Sequence, residues 1–222
     1  MRQPAGLPWP SPRRSAALAL VLALATGACG GGGGSSGPFS GAVVADDPLA
    51  VQVGRDVLLR GGSAADAAVA TALMLSVTLP SMATIGGGGV CLLREAKGGR
   101  VEALEFYAGP TSNPPSARAD RPSAVPFMLR GLFALHARGG RLPFGELILP
   151  AESFAREGFP LSRQLAEHMR VASRLVLGDG EARKLTTRAD GQLMEPGEVM
   201  RNVELAALLS HVRLRGVGEL YA

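Results

Sequence analysis

The feature that most constrains the fold is a run of residues, 64–79, that holds a single charged side chain. The run reads AADAAVATALMLSVTL and is otherwise small, apolar or hydroxyl-bearing. Ser63 stands where a helix N-cap is expected, Asp66 takes the capping-box position, and Pro80 ends the run. A helix that is apolar on nearly all sides has to be buried. The sequence therefore predicts a buried helix, and its 46% of hydrophobic residues suffices for the core that this helix requires.

Two strands and one further helix are predicted close to this run. Residues 46–60 place apolar side chains at helical spacing behind a capping aspartate and Pro48. The strand-like runs 90–96 and 101–107 flank Lys97-Gly98-Gly99-Arg100, a sequence typical of a tight hairpin. Because the first strand is apolar at consecutive positions, we expect both of its faces to be covered.

The second half of the chain is predicted to be mainly helical. Apolar spacing and capping residues indicate helices over 127–138, 144–157, 161–177 and 203–215. Asn202 is the expected cap of the last helix. The turn-rich stretches 108–126 and 178–197 are predicted to be loops.

Residues 1–29 have the organisation of an export signal. Arginines precede an apolar run over 16–25, and no acidic residue occurs before Asp46. The run is shorter than the roughly 20 apolar residues that span a membrane. We therefore expect an exported protein, periplasmic or attached to a membrane.

The end of this signal resembles the cleavage site of bacterial lipoproteins. Gly27 and Ala28 lie directly before Cys29, although Thr26 stands where leucine is usual. Cys29 is the expected lipidation site, and the glycine- and serine-rich residues 30–40 are the expected tether. An ordinary signal peptide that happens to contain a cysteine is the alternative.

Charge and cysteine content exclude several classes of function. The net charge is +4, but three of the 23 basic residues and none of the 19 acidic ones lie in residues 1–29, so the remainder carries +1. A nucleic-acid partner is therefore not expected, and contact with a membrane is expected only through a lipid anchor. Two cysteines cannot form a disulfide framework or a four-cysteine zinc site, and neither a metal nor an organic cofactor is implied.

Short motifs give weak indications when each is taken alone. The glycines 86–89 lead into a strand and lack a following Lys-Ser/Thr, which favours close backbone packing over a phosphate cradle. The three histidines fall in separate predicted helices, Cys91 is interpreted as a small buried hydrophobe, and no serine or threonine has a local base. The histidines are His136, His168 and His211.

Five segments taken in order resemble the γ-glutamyltranspeptidase family. The family has a helix-Gly-Gly-helix segment, then a proline followed by four glycines and a strand, then a hairpin that ends in an acidic residue and phenylalanine. It continues with an "lP…l-l-x-P-A…A-x-e-G-F" segment and a final "n-p-x-L-A" stretch. The corresponding residues here are 58–73, 80–90, 101–107, 142–166 and 197–222. Chance hardly supplies five collinear matches, so the resemblance covers nearly all of residues 41–222.

This resemblance implies an α+β fold of the N-terminal-nucleophile hydrolase kind, which is an αββα sandwich. Residues 41–222 correspond to a portion of the large subunit and therefore form only part of that sandwich. Such enzymes cut themselves into a large and a small subunit. The new N-terminal threonine of the small subunit attacks a γ-glutamyl amide such as that of glutathione, and its own α-amine is the base. The acyl group passes to water or an amino acid. That threonine lies beyond the matched region, so we expect no catalytic residue in this chain and a C-terminal small subunit as its partner.

Tyr107 marks a departure from the family. The family has an arginine at the position of Tyr107, directly after the acidic residue and phenylalanine. That arginine binds the α-carboxylate of the donor through a charge-assisted pair. A phenol carries no positive charge, so losing the pair costs about 2–5 kcal/mol unless another group replaces it. The family's glycine-proline-glycine turn is also altered, at 124–127. Tyr107 is the substrate-binding candidate, and a tyrosine that only packs at a strand end is the alternative.

Two hypotheses follow for the whole chain. In the first, it is the N-terminal part of an exported γ-glutamyltransferase-like enzyme that acts with its C-terminal half. In the second, it is a complete, inactive and membrane-tethered homologue with a binding or structural role. An incomplete sandwich exposes apolar sheet and unpaired edges, which favours the first hypothesis.

Overall fold

The computed structural model describes residues 41–110 and 124–221. The predicted export signal, Cys29 and the tether lie outside these residues. The α-helices are α1 (Pro48–Leu59), α2 (Ala64–Thr78), α3 (Met128–Gly139), α4 (Phe144–Glu157), α5 (Arg163–Val171), α6 (Ser173–Gly178), α7 (Gly180–Thr186) and α8 (Val203–Arg215). The strands are β1 (Gly89–Arg94), β2 (Val101–Phe106), β3 (Gly109–Pro110), β4 (Ala124–Val125), β5 (Phe159–Pro160) and β6 (Val199–Met200). A 3-10 helix follows at Val217–Tyr221.

The buried helix that the sequence predicts is α2. Eleven of its 15 residues are buried, and the capping box between Ser63 and Asp66 is formed. α1, α3 and α4 pack against it and so cover most of its surface. Side chains from these helices and α8 are fully buried in the same core, among them Leu73, Met74, Leu147, Ile148 and Leu209.

The carboxylate of Asp66 also joins α2 to the link between α3 and α4. It accepts hydrogen bonds from the backbone N–H groups of Ser63 (2.8 Å), Arg141 (2.9 Å) and Leu142 (3.2 Å). His136 Nε2 lies 3.6 Å from Asp66 Oδ1 and donates to the Leu142 carbonyl oxygen at 2.7 Å. Burial alone raises the pKa of Asp66, but the hydrogen bonds outweigh it and hold the pKa below its usual value.

β1 and β2 form the predicted antiparallel hairpin, from the pair Gly89 and Phe106 to the pair Arg94 and Val101. The pairing runs one residue further, because the N–H of Glu95 donates to the carbonyl oxygen of Arg100 at 2.9 Å. The connecting loop is therefore residues 96–99, shifted by one residue from the turn predicted at 97–100. Gly98 and Gly99 have φ angles of 84° and 66°, a backbone conformation that favours glycine.

The prediction that both faces of the first strand are covered is wrong for the described residues. Helix α3 packs on one face only. Because side chains alternate along a strand, Cys91, Leu93 and Leu104 point inward, while Leu92 is 74% exposed on the other face. Val90 and Val101 share that outer face and are 45% and 58% exposed.

The C-terminal half follows the sequence predictions in α4 and α8 and departs from them in between. The predicted helix over 161–177 is interrupted at Ala172, where α5 gives way to the short α6. Leu165 and Met169 of α5 are buried. Leu175 of α6 is 74% exposed, so burial in the core does not stabilise a continuous helix there. Within the predicted loop over 178–197, Asp179 caps the unpredicted helix α7.

Helices α4 and α8 are joined by a nearly buried ion pair. Glu152 accepts from Arg213 Nε at 2.7 Å and from the Arg156 guanidinium at 2.7 Å. The hydrogen bond from Arg213 is the main reason that the pKa of Glu152 lies below its usual value. Asn202 caps α8 as predicted, by accepting from the N–H of Leu205.

Within residues 41–110 and 124–221, no helix could span a membrane.

Candidate functional site

The glycine run is where β1, β2 and α3 meet. The backbone N–H groups of Phe127 and Met128 both donate to the carbonyl oxygen of Gly87, at 3.0 Å. Gly88 lies directly against the end of β2, where an added Cβ would overlap the Phe106 carbonyl oxygen and come within 2.6 Å of the Ala108 nitrogen. The predicted close backbone packing is confirmed, and it fixes the position of the segment that contains Tyr107.

Tyr107 follows the last residue of β2 and is 61% exposed. Its hydroxyl has no hydrogen-bond partner among the described residues, and its ring makes no aromatic contact there. The side chain is therefore free at the strand end and does not pack beneath the described parts of the chain. Whether Tyr107 contacts a substrate stays a prediction.

A cavity of about 240 Å³ lies beside this strand end. Residues 104–106 of β2 form one side, and Phe127, Arg130, Gly131 and Ala134 form the other. An added Cβ on Gly131 would overlap the Phe106 ring, so α3 rests directly on that ring. The lining is mainly apolar. Of its two charged residues, Arg130 lies on α3, whereas Glu105 pairs with Val90 and so points its side chain to the outer face of the hairpin.

Arg130 is held over two aromatic rings. Its guanidinium carbon lies 5.8 Å from the centroid of Phe127 and 5.9 Å from that of Tyr221. The Tyr221 hydroxyl donates to the Pro126 carbonyl oxygen at 2.7 Å. A planar guanidinium stacks well on aromatic faces and is thereby oriented. The sequence interpretation missed this cluster because Tyr221 lies more than 90 residues after Phe127 and Arg130 in the chain.

The hydroxyls of Ser63, Thr186 and Thr187 are engaged in local hydrogen bonds with the backbone. Ser63 Oγ accepts from Asp66 N, and Thr186 and Thr187 donate to carbonyl oxygens one turn earlier in α7. One contact was not predicted: Ser81 Oγ lies 2.8 Å from His168 Nδ1 on the surface. A serine nucleophile also requires a group that orients its base, and no described residue bonds the other ring nitrogen of His168.

The described residues contain no cluster of three or more groups that suits a metal ion. As predicted, the histidines lie on separate helices, α3, α5 and α8. Cys91 is a free, half-buried thiol, and burial raises its pKa, which disfavours the nucleophilic thiolate.

Comparison with known families decides the relationship. The family model described as Gamma-glutamyltranspeptidase matches residues 50–222. The chain belongs to this family. Glutathione hydrolase 2 of Arabidopsis thaliana is 33% identical over 192 residues, a match that covers 82% of this chain and 33% of the relative. The glutathione hydrolase proenzyme of Escherichia coli is 30% identical over 196 residues, covering 82% and 34%.

The fold is shared with solved members of the family. The γ-glutamyltranspeptidase of Helicobacter pylori superposes with a TM-score of 0.75 at 26% identity, covering 83% of this chain and 57% of that one. The predicted α+β class and the likeness to N-terminal-nucleophile hydrolases are confirmed. The chain spans about a third of the length of the curated relatives named above.

Proposed function

We propose that this γ-glutamyltranspeptidase-family chain is the N-terminal part of an exported enzyme that hydrolyses or transfers γ-glutamyl amides of the glutathione type. The observation that carries the proposal is the continuous family match over 50–222, on a backbone that superposes on a solved transpeptidase. The names of the curated relatives, glutathione hydrolases, point to the same substrate class.

The proposed enzyme takes its nucleophile from a separate small subunit. The described residues offer no activated serine, threonine or cysteine, and the relative from Escherichia coli is named a proenzyme. In the proposed reaction the hydroxyl oxygen of the small subunit's N-terminal threonine adds to the γ-glutamyl carbonyl, and its proton passes to the α-amine of the same threonine. The resulting ammonium group returns this proton to the amide nitrogen of the donor, which leaves as an amine when the C–N bond breaks. Water or an amino acid then takes the acyl group from the threonine.

The outer face of the β1–β2 hairpin is the proposed contact with the C-terminal part. Val90, Leu92 and Val101 are exposed together there, and apolar patches on a sheet mark surfaces that another element covers. A chain that spans a third of its relatives leaves ample polypeptide in those relatives to supply such a layer. A second sheet packed on this face completes the αββα sandwich.

The proposed enzyme holds its donor differently from a protein with arginine at the end of β2. Tyr107 offers one hydrogen bond and no charge, and its hydroxyl is unengaged among the described residues. The strand end thus suits a donor whose carboxylate is bound elsewhere, or a related acyl group without that carboxylate.

The activity is tested by producing the 222-residue chain alone and, separately, the uninterrupted product of its native gene region. We expect the chain alone to release no p-nitroaniline from γ-glutamyl-p-nitroanilide, and the longer product to do so after self-cleavage. Alanine at the first position of the small subunit is the control and should abolish both steps. A longer product that folds without γ-glutamyl activity contradicts the proposal and supports the inactive homologue.

Export and lipidation of Cys29 are a further part of the proposal. In a bacterial host with lipoprotein processing, we expect the mature chain to begin at Cys29, carry a diacylglyceryl group and fractionate with membranes. Cys29→Ser should move the chain to the soluble fraction, whereas Cys91→Ser should leave it membrane-bound. Intact mass and fractionation test this, and an unmodified Cys29 in the mature wild-type chain contradicts it.

A further inference from the structure

The segment that leads into α1 has the burial pattern of a β-strand. Exposed and inward positions alternate over residues 42–47, and Val44 is 94% exposed while its neighbour Val43 packs against the core. Asp47, at the end of this segment, has an extended backbone with φ −126° and ψ 129°. A period of two is typical of a strand, yet the described sheets do not include these residues.

The backbone of this segment has no hydrogen-bond partner in the part of the chain that the structure describes. No N–H or C=O group of residues 42–45 bonds to a residue in 41–110 or 124–221. The segment is nevertheless held in place, because Val43 lies against Gly54 of α1, where an added Cβ would come within 2.9 Å of Val43 Cγ1. An unpaired strand edge of this kind is a template for the addition of another strand.

A cleft of about 630 Å³ lies between this segment and α2. Eleven of the 15 residues of α2 are buried, and the other four all line this cleft: Ala64, Ala68, Ala72 and Leu75. A helix that is apolar on nearly all sides is buried on nearly all sides in a complete domain. The cleft is therefore the place where the cover of α2 is incomplete.

The dimensions of the cleft suit one short strand. The uncovered face of α2, from Ala64 to Leu75, is about 17 Å long at 1.5 Å per residue. Residues 41–46 line the other side of the cleft and, when extended, also span about 17 Å at 3.3 Å per residue. An extended segment of about five residues therefore fits between them, with its backbone paired to residues 42–45 and alternate side chains over α2.

We propose that residues 42–45 are a sheet edge to which an extended segment of the C-terminal part adds as a strand, over the uncovered face of α2. Asp46 is the one charged residue among the described residues that line the cleft, which favours an apolar strand as the occupant. The origin of this strand rests on the proposed function. The matches cover 33% and 34% of the curated relatives, so those relatives contain ample polypeptide to supply it. This contact is additional to the one at the outer face of the β1–β2 hairpin.

Hydrogen–deuterium exchange of the 222-residue chain, and of the uninterrupted product of its native gene region, tests this edge. In the chain alone, we expect the amides of residues 42–45 to exchange rapidly because they are unpaired. In the longer product, those amides that face the cleft should exchange about a hundredfold more slowly, or slower still. Residues 96–98 of the exposed hairpin loop are the internal control and should exchange equally in both proteins.

The variant Ala68→Leu gives an independent test of the same contact. Alanine and leucine are both strong helix formers and Ala68 is exposed, so the thermal midpoint of the chain alone should not change. In the longer product the larger side chain meets the added strand and should lower the midpoint by about 5 °C. Ala137→Leu, at an exposed position of α3, is the matched control and should leave both midpoints unchanged.

Several results would overturn the proposal. Rapid exchange of residues 42–45 in a folded longer product does so, as do equal effects of Ala68→Leu on the two proteins. Slow exchange already present in the chain alone also does so, because the occupant is then a second copy or another segment of the 222 residues. A gene region that encodes no C-terminal part overturns it as well. Slow exchange in a longer product without γ-glutamyl activity counts against the proposed function and leaves the sheet edge standing.

Discussion

Replacing Asp66 by alanine should lower the free energy of unfolding by about 3–4 kcal/mol. The substitution removes the acceptor of three backbone N–H groups, from Ser63, Arg141 and Leu142, around a carboxylate that is fully buried. A buried donor left without a partner costs about 1–3 kcal/mol, and partial access of water reduces the sum. Urea unfolding followed by circular dichroism measures the loss.

Asp47→Ala is the matched control for this substitution. Asp47 is also a buried aspartate that caps a helix, but it accepts only from the first N–H groups of its own helix, at Leu49 and Ala50. Its loss should cost about 1 kcal/mol, the usual value for an N-cap. Equal losses in the two variants would show that the bonds from Asp66 to Arg141 and Leu142 add nothing to stability.

The stabilisation from Asp66 should depend on pH in a defined direction. Because the folded protein holds the pKa of Asp66 below its usual value, the carboxylate stabilises the fold above that value and ceases to do so as the pH falls through the folded pKa. The difference in stability between the wild type and Asp66→Asn should therefore be full at neutral pH and shrink below about pH 4. A difference that grows on acidification contradicts the assignment.

Gly88→Ala should destabilise the fold by about 3 kcal/mol or more, as an overpacked site next to backbone atoms. The added Cβ meets the carbonyl oxygen of Phe106, the nitrogen of Ala108 and the carbonyl carbon of Tyr107, and none of these can move aside as a flexible side chain would. The strand end that carries Tyr107 has to shift. Thermal unfolding measures the loss, and near-ultraviolet circular dichroism reports the change around the nearby aromatic rings.

Gly86→Ala, two residues earlier in the same run, isolates this effect. The nearest atom to an added Cβ there is Thr84 Oγ1 at 3.7 Å, an ordinary contact. The variant should lie within about 1 kcal/mol of the wild type. If both alanine variants are equally stable, the close approach of Gly88 to β2 does not hold in solution.

The local features of the fold were predictable because each of them depends on residues that are close together in the sequence. The α2 capping box, the Pro48 start of α1 and the Asn202 cap of α8 each depend on residues within one turn. The limits of α4 also match the prediction. The family resemblance gave the fold class, since five short segments in order carry more information than any one of them.

The remaining features depend on contacts between distant segments. Nothing near Asp66 in the sequence indicates that Arg141 and Leu142 bond its carboxylate. Apolar residues do recur at helical spacing over 161–177. The residues after Val171 have no core to pack against, however, and α5 ends at Val171. The substrate contact at Tyr107 stays a prediction, and the position of Arg130 beside a cavity at this strand end became visible only in the structure.

Intact mass and N-terminal sequencing of the protein from its native cells would show whether this chain is one part of a self-cleaving γ-glutamyltranspeptidase. The membrane and soluble fractions are both purified through an antibody against this chain. We expect two co-purifying chains, the second of which begins with threonine. A single chain that ends at Ala222, with no partner in either fraction, would contradict it.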